Sequence, residues 1–183
     1  VFFTLNKAMG HPSFITRLGE SNWVLQNIWL VVPALIIGAV VGLGYKYFSK
    51  LLSLIIKPLK NHQAVLTLIG AAFIYLFVVE TPRLLFSGQT FMHLIPTFGT
   101  DKAWQTLLIA ALLKLVFLQL CLQTGWIGGD IFPAIFSAVL FGFVTAQFFP
   151  GIDTLFIVAV VATSCSTQIL DSIWVPGIFI ALF

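Results

Sequence analysis

Between Gly125 and Pro133 the chain reads Gly-Trp-Ile-Gly-Gly-Asp-Ile-Phe-Pro, a glycine-rich turn at the start of a hydrophobic run. Residues 131–149 carry no charge, so the run predicts a helix that can lie at membrane depth. A helix that begins inside a membrane offers backbone N–H groups, and the positive end of its dipole, to whatever lies before it. Such a start can hold an anion without a fixed cation. A plain helix start behind a tight turn is the alternative, and the residues alone leave both open.

Two ionisable residues bracket the turn. Lys114 falls near the middle of the apolar run 103–122, where an ammonium costs roughly 2.5–3.5 kcal/mol on insertion scales. It needs a partner, a watery pocket, or a stem that reaches an interface. Asp130 is electrostatically comfortable at a helix start. It reads as a cap facing away, as a pathway carboxylate tuning selectivity or protons, or as the mark of a lost site. Cys121 and Cys165 lack CxxC spacing and read as small buried hydrophobes. His11, His62 and His93 are widely separated, so no metal site is expected.

These residues need a scaffold, and composition says in which solvent. Hydrophobic residues make up 60% of the 183 and charged residues 8%, with mean hydropathy +1.07. A soluble domain has roughly a quarter of its residues charged, so this chain could not cover its surface in water. The net charge of +3 is small and scattered, which gives no reason to expect nucleic acid.

Along the chain, residues 1–22 are mixed and polar, an expected loop or interfacial segment. Trp23 to Ile56 is long and apolar, with Gly38 and Gly42 spaced as a small-xxx-small face for a neighbouring helix. Lys46, Lys50, Lys57 and Lys60 crowd its far end and orient that end to the cytoplasm. Ala64–Val79 is a second apolar run, and Phe86–Pro96 is a short or re-entrant piece. Ala103–Leu122 is the run closest to the roughly 20 residues of a straight span. After residues 131–149, Pro150–Asp153 is a break, Thr154–Ile169 is apolar with Ser and Thr, and Ile173–Phe183 holds Pro176-Gly177. The expected class is an all-α polytopic membrane protein with broken and re-entrant helices. Interrupted backbone at membrane depth favours transport over anchoring.

The stretch KLVFLQLCLQTGWIGGDIFPAIFSAVLFG, from Lys114 to Gly142, resembles the basic-residue helix and GGxFxP-type turn of the CLC chloride channels and chloride/proton antiporters. Ser87-Gly88-Gln89-Thr90-Phe91 is similar to that family's serine-glycine loop, and element order agrees from residue 23 to 165. The resemblance implies the second half of an inverted-repeat fold over residues 23–183, incomplete at its C-terminus. It implies anion binding by the backbone amides of Gly129, Asp130, Ile131 and Phe132. Gly125 and Gly128 would form the supporting turn, with Pro133 at an early helical position that does not need its N–H. It also implies a basic residue at Lys114, a halide as substrate ion with no cofactor, a homodimer in the lipid bilayer, and protons as a second substrate in antiporters.

Asp130 departs from the apolar residue common in the family, and residues 164–175 depart from an expected arginine-alanine-proline pattern. The first-half serine loop, the gating glutamate and the late tyrosine are not in the sequence, which begins at Val1 and ends in an apolar run. The expectation is therefore an internal piece of a longer protein from a prokaryotic cytoplasmic membrane, unable to transport by itself. Fluoride-selective export and a non-transporting scaffold are the alternatives. An intramembrane aspartyl protease is disfavoured, because position 127 is Ile where GxGD requires Gly, and an enzyme is not expected.

Overall fold

The computed structural model describes residues 24–80, 103–126 and 128–182. Expectations for residues 1–22 and for Phe86–Pro96 lie outside the described residues. Among those described there are helices and turns but no strand. They are α1 (Val31–Ile56), α2 (Gln63–Glu80), α3 (Trp104–Gln123), α4 (Ile131–Ala146), α5 (Thr154–Leu170) and α6 (Trp174–Leu182). Short 3-10 segments, Leu25–Leu30 and Lys57–Leu59, extend α1 at both ends. The chain is an all-helical membrane protein.

Two helices are long and apolar enough to cross a bilayer, Asn27–Leu59 and Trp104–Gln123. The first corrects the expectation that Ala103–Leu122 alone approaches span length. Gly38, Gly42 and Gly44 do not interrupt α1, because packing at the first two offsets their poor helix propensity. α4 and α5 are shorter apolar helices. At 1.5 Å rise, the 16 residues of α4 cover about 24 Å, less than the ~30 Å hydrocarbon layer.

The centre of the bundle is α4. Every residue from Pro133 to Ala146 is buried, as expected of a helix that is apolar on all sides. It packs between α3 and α5, and α5 also packs on α1 and α6. Small residues make these contacts close. A Cβ on Gly38 would lie 2.6 Å from the Val161 carbonyl oxygen, and one on Gly42 would lie 2.8 Å from that of Cys165. A Cβ on Gly142 would lie 2.7 Å from the Val158 Cα. The small-residue face read from the sequence is thus the α1–α5 seam. Residue numbers rise together along it, so α1 and α5 run parallel. Ser164 Oγ donates across the seam to the Leu35 carbonyl at 2.8 Å.

The hydroxyls of Ser137, Thr145 and Thr163 bond within their own helices, as lipid favours. Ser137 donates to the Pro133 carbonyl at 2.9 Å, and Thr145 to that of Phe141 at 2.9 Å. Outside the seam, α1 leaves Val32, Ile36, Val40, Leu43, Tyr47, Leu51 and Leu54 exposed, an apolar surface suited to lipid or protein and not to water. Lys46 forms an ion pair with Asp171, the residue that ends α5 in the left-handed region at φ 50°.

Candidate functional site

The turn before α4 is built by the way α3 ends. Gly125 has φ +87°, a conformation a side chain would strain. The Trp126 N–H then donates to the Cys121 carbonyl at 3.0 Å, and the Thr124 N–H to that of Leu120 at 3.0 Å. Gly125 is therefore the left-handed residue of a Schellman-type stop, which satisfies carbonyls that α3 would leave unpaired. The stop is wedged against α2. A Cβ on Gly70 would collide with Thr124 Oγ1 and lie 2.6 Å from Trp126 Nε1, and one on Gly125 would lie 2.9 Å from Gln63 Nε2.

Beyond the stop the backbone is open. Cβ atoms placed on Gly128 and Gly129 would meet nothing within 4 Å. α4 starts at Ile131, and the Ala134 N–H closes its first turn on the Asp130 carbonyl at 3.0 Å. Pro133 brings no N–H, so the donors for which α4 supplies no carbonyl are those of Asp130, Ile131 and Phe132. The Phe132 ring is set edge-on against Phe179 of α6, with centroids 5.4 Å apart, which fixes the start of α4 laterally.

In front of this start lies a cavity of about 470 Å³. Gly128, Gly129, Phe132 and Pro133 line one side, and Lys114, Phe117, Leu118, Cys121, Leu122 and Trp126 line the rest. Two features eleven or more residues apart in sequence, Lys114 and the glycine turn, thus share one space. Lys114 is wholly buried, with 0% of its surface open. Its ammonium is 5.9 Å from the Phe117 ring centroid and 6.0 Å from that of Phe136, within cation–π range. The side chain turns inward and does not snorkel to an interface. Its charge is thus buried at the cavity wall.

Of the four backbone positions singled out in the sequence, Gly129 and Phe132 line the cavity, whereas Asp130 and Ile131 are not among its lining residues. Asp130 occupies the N-cap position and is exposed, yet its side chain makes no capping hydrogen bond. Its φ of −90° and ψ of −21° are helical, whereas a capping side chain needs an extended backbone to reach the N–H groups behind it. The cap reading therefore holds for its position and not for its bond.

The Tyr45 hydroxyl of α1 is hydrogen-bonded to the Gln119 side chain of α3. Gln119 is 5% exposed, and its Oε1 has no hydrogen-bond partner among the described residues. Sequence reasoning passed over this pair. A glutamine inside an apolar helix was the signal available.

Cys165 is fully buried, as expected, but Cys121 is half-buried and lines the cavity, because it follows Lys114 by two helical turns on the same face of α3. Both are free thiols. Among the described residues, no cluster of three His, Cys, Asp or Glu side chains could hold a metal ion.

Compared with known proteins, residues 3–173 match the family model described as voltage gated chloride channel. No curated protein and no solved structure matched the chain.

Proposed function

The chain belongs to the voltage gated chloride channel family, and from that membership we propose that it carries chloride across the membrane through the cavity before α4. Membership makes it an integral membrane protein of an anion-transporting family. The observation that carries the proposal for this site is the meeting of the open Gly128–Gly129 turn and the buried Lys114 on one cavity. Fixed dipoles and a fixed charge there replace hydration lost by the ion, at no reorganisation cost when it arrives. Backbone amides at Gly129, Asp130, Ile131 and Phe132 are the proposed donors, and Lys114 supplies the favourable field.

No organic cofactor or metal takes part in this reading. The protein works as a homodimer in a prokaryotic cytoplasmic membrane, with one pathway in each subunit. Asp130, exposed at the N-cap of α4, is the group through which proton coupling would act. Chloride efflux from liposomes containing the full-length protein, with external pH recorded, tests the transport reading. Chloride flux with opposing proton movement identifies an antiporter, and flux without it a channel. Fluoride flux without chloride flux would replace the substrate, and silence to both would leave a non-transporting scaffold.

A further inference from the structure

The outward face of α1 takes part in neither the α5 seam nor the cavity before α4. Val40, Leu43, Tyr47, Leu51 and Leu54 are exposed there and recur every three or four residues, so they form one stripe. Lys50 and Lys57, both exposed, follow Tyr47 and Leu54 by one helical turn and belong to the same stripe. Two helical turns separate the lysines from each other, about 10 Å along the axis. The stripe is thus apolar along most of its length and cationic near its end, where Lys60 and His62 follow in the exposed turn into α2. Residues 21–79 contain no Asp or Glu. Asp171, which reaches this end of α1 from α5, is engaged by Lys46.

We propose that this stripe binds an anionic glycerophospholipid, with an acyl chain along Val40, Leu43 and Leu51 and the phosphate between Lys50 and Lys57. Charge complementarity selects the occupant. The lysine stems can lie over Leu51 and Leu54 while their ammonium groups reach the headgroup level. Exposed Tyr47 suits the same depth, with an apolar ring and a polar tip. A zwitterionic lipid would fit the apolar part but bring its own cation toward the lysines. A second copy of the chain on this face, related by an axis along the bilayer normal, would set lysine against lysine. Each lysine near an anionic membrane surface is worth about fivefold in affinity. The stripe shares no residue with the cavity lining, so the inference does not rest on the transport reading.

Native mass spectrometry of the full-length protein in detergent, titrated with equal amounts of phosphatidylglycerol and phosphatidylcholine, reads the preference. Leu54 replaced by photoreactive p-benzoylphenylalanine reads the place. Phosphatidylglycerol is expected to be retained at least fivefold over phosphatidylcholine and to be the lipid cross-linked at position 54. Lys50→Gln and Lys57→Gln should each lower retention and cross-linking about fivefold. Lys50→Arg/Lys57→Arg should keep both, which separates a need for charge from damage to the fold. Equal cross-linking of the two lipids would overturn the proposal, as would a preference unchanged in Lys50→Gln/Lys57→Gln. A preference lost equally in the arginine pair would also overturn it. Displacement of the lipid by millimolar inorganic phosphate would show a site for free anions instead, and a cross-link from position 54 to protein would show a protein interface.

Discussion

Lys114 tests whether a charge in the apolar interior serves stability or function. A buried ammonium is costly to insert, and removing one partner of a buried charge interaction is destabilising because the other group is left uncompensated. Lys114→Met is therefore expected to lower the thermal midpoint and, beyond the loss of folded protein, to cut anion flux about tenfold, the equivalent of 1.4 kcal/mol. A lower midpoint with flux in proportion to the folded protein would mean the lysine is a structural partner. Gly125 makes the opposite case, a residue whose role is conformational. Gly125→Ala forces a side chain to φ +87°, at a cost of roughly 1–2 kcal/mol. A correspondingly lower thermal midpoint, together with faster alkylation of Cys121 as the α3 stop loosens, is the expected result.

At this scale the types of the site residues were legible and their directions were not. The charge-free run after the glycines announced a helix start, and a lysine in the middle of an apolar run announced a buried charge. That Lys114 turns toward the turn, and that Cys121 stands beside it, depends on how α3 rotates against α4, which no local pattern states. Asp130 shows the same limit. Its type suits a cap, but the cap bond requires a backbone conformation decided by the Gly128–Gly129 approach.

Helix seams carry the next level of the argument. α1 and α5 touch through glycine, so size at Gly42 is limited by the α5 backbone and by Gln168. Gly42→Leu is expected to destabilise by about 1–3 kcal/mol, typical of overpacking, and possession of a folded state can be read from size-exclusion profiles and heat-induced aggregation in detergent. Gly44, whose Cβ would meet nothing, is the control: Gly44→Ala should be neutral or stabilising by up to about 1 kcal/mol from helix propensity. The four-residue spacing made this seam readable in the sequence, though not its partner. α5 carries small residues throughout, and only the fold selects Val161, Cys165 and Gln168 as the facing positions.

The Lys46–Asp171 pair closes the same seam at one end. With side-chain exposures of 31% and 76%, it is expected to contribute no more than about 1 kcal/mol. Lys46→Ala and Asp171→Ala should each cost a few tenths of a kcal/mol, and the double variant should cost about the same as either. Additive losses in a double-mutant cycle would show that the two residues act separately. Lys46 was read in the sequence as one of a row of orientation lysines, since its partner lies 125 residues away.

Across the whole molecule, composition placed the chain in lipid, and the exposed apolar face of α1 agrees with that solvent. The longest helix was harder to see, because three glycines look like interruptions until a neighbour covers two of them. The molecule arranges a short helix, buried from Pro133 onward, in the middle of the bundle and stops the preceding helix so that a cavity remains before it. This arrangement, more than any single side chain, is the basis for assigning anion transport to this site.

The central claim is that the anion rests before α4, and anomalous scattering from bromide tests it most directly. Crystals of the protein grown with bromide in place of chloride should show an anomalous peak in the cavity, within hydrogen-bonding range of the amides between Gly129 and Phe132. That peak should be lost in Lys114→Met. Bromide found elsewhere in the protein, with none in the cavity before α4, would contradict the account.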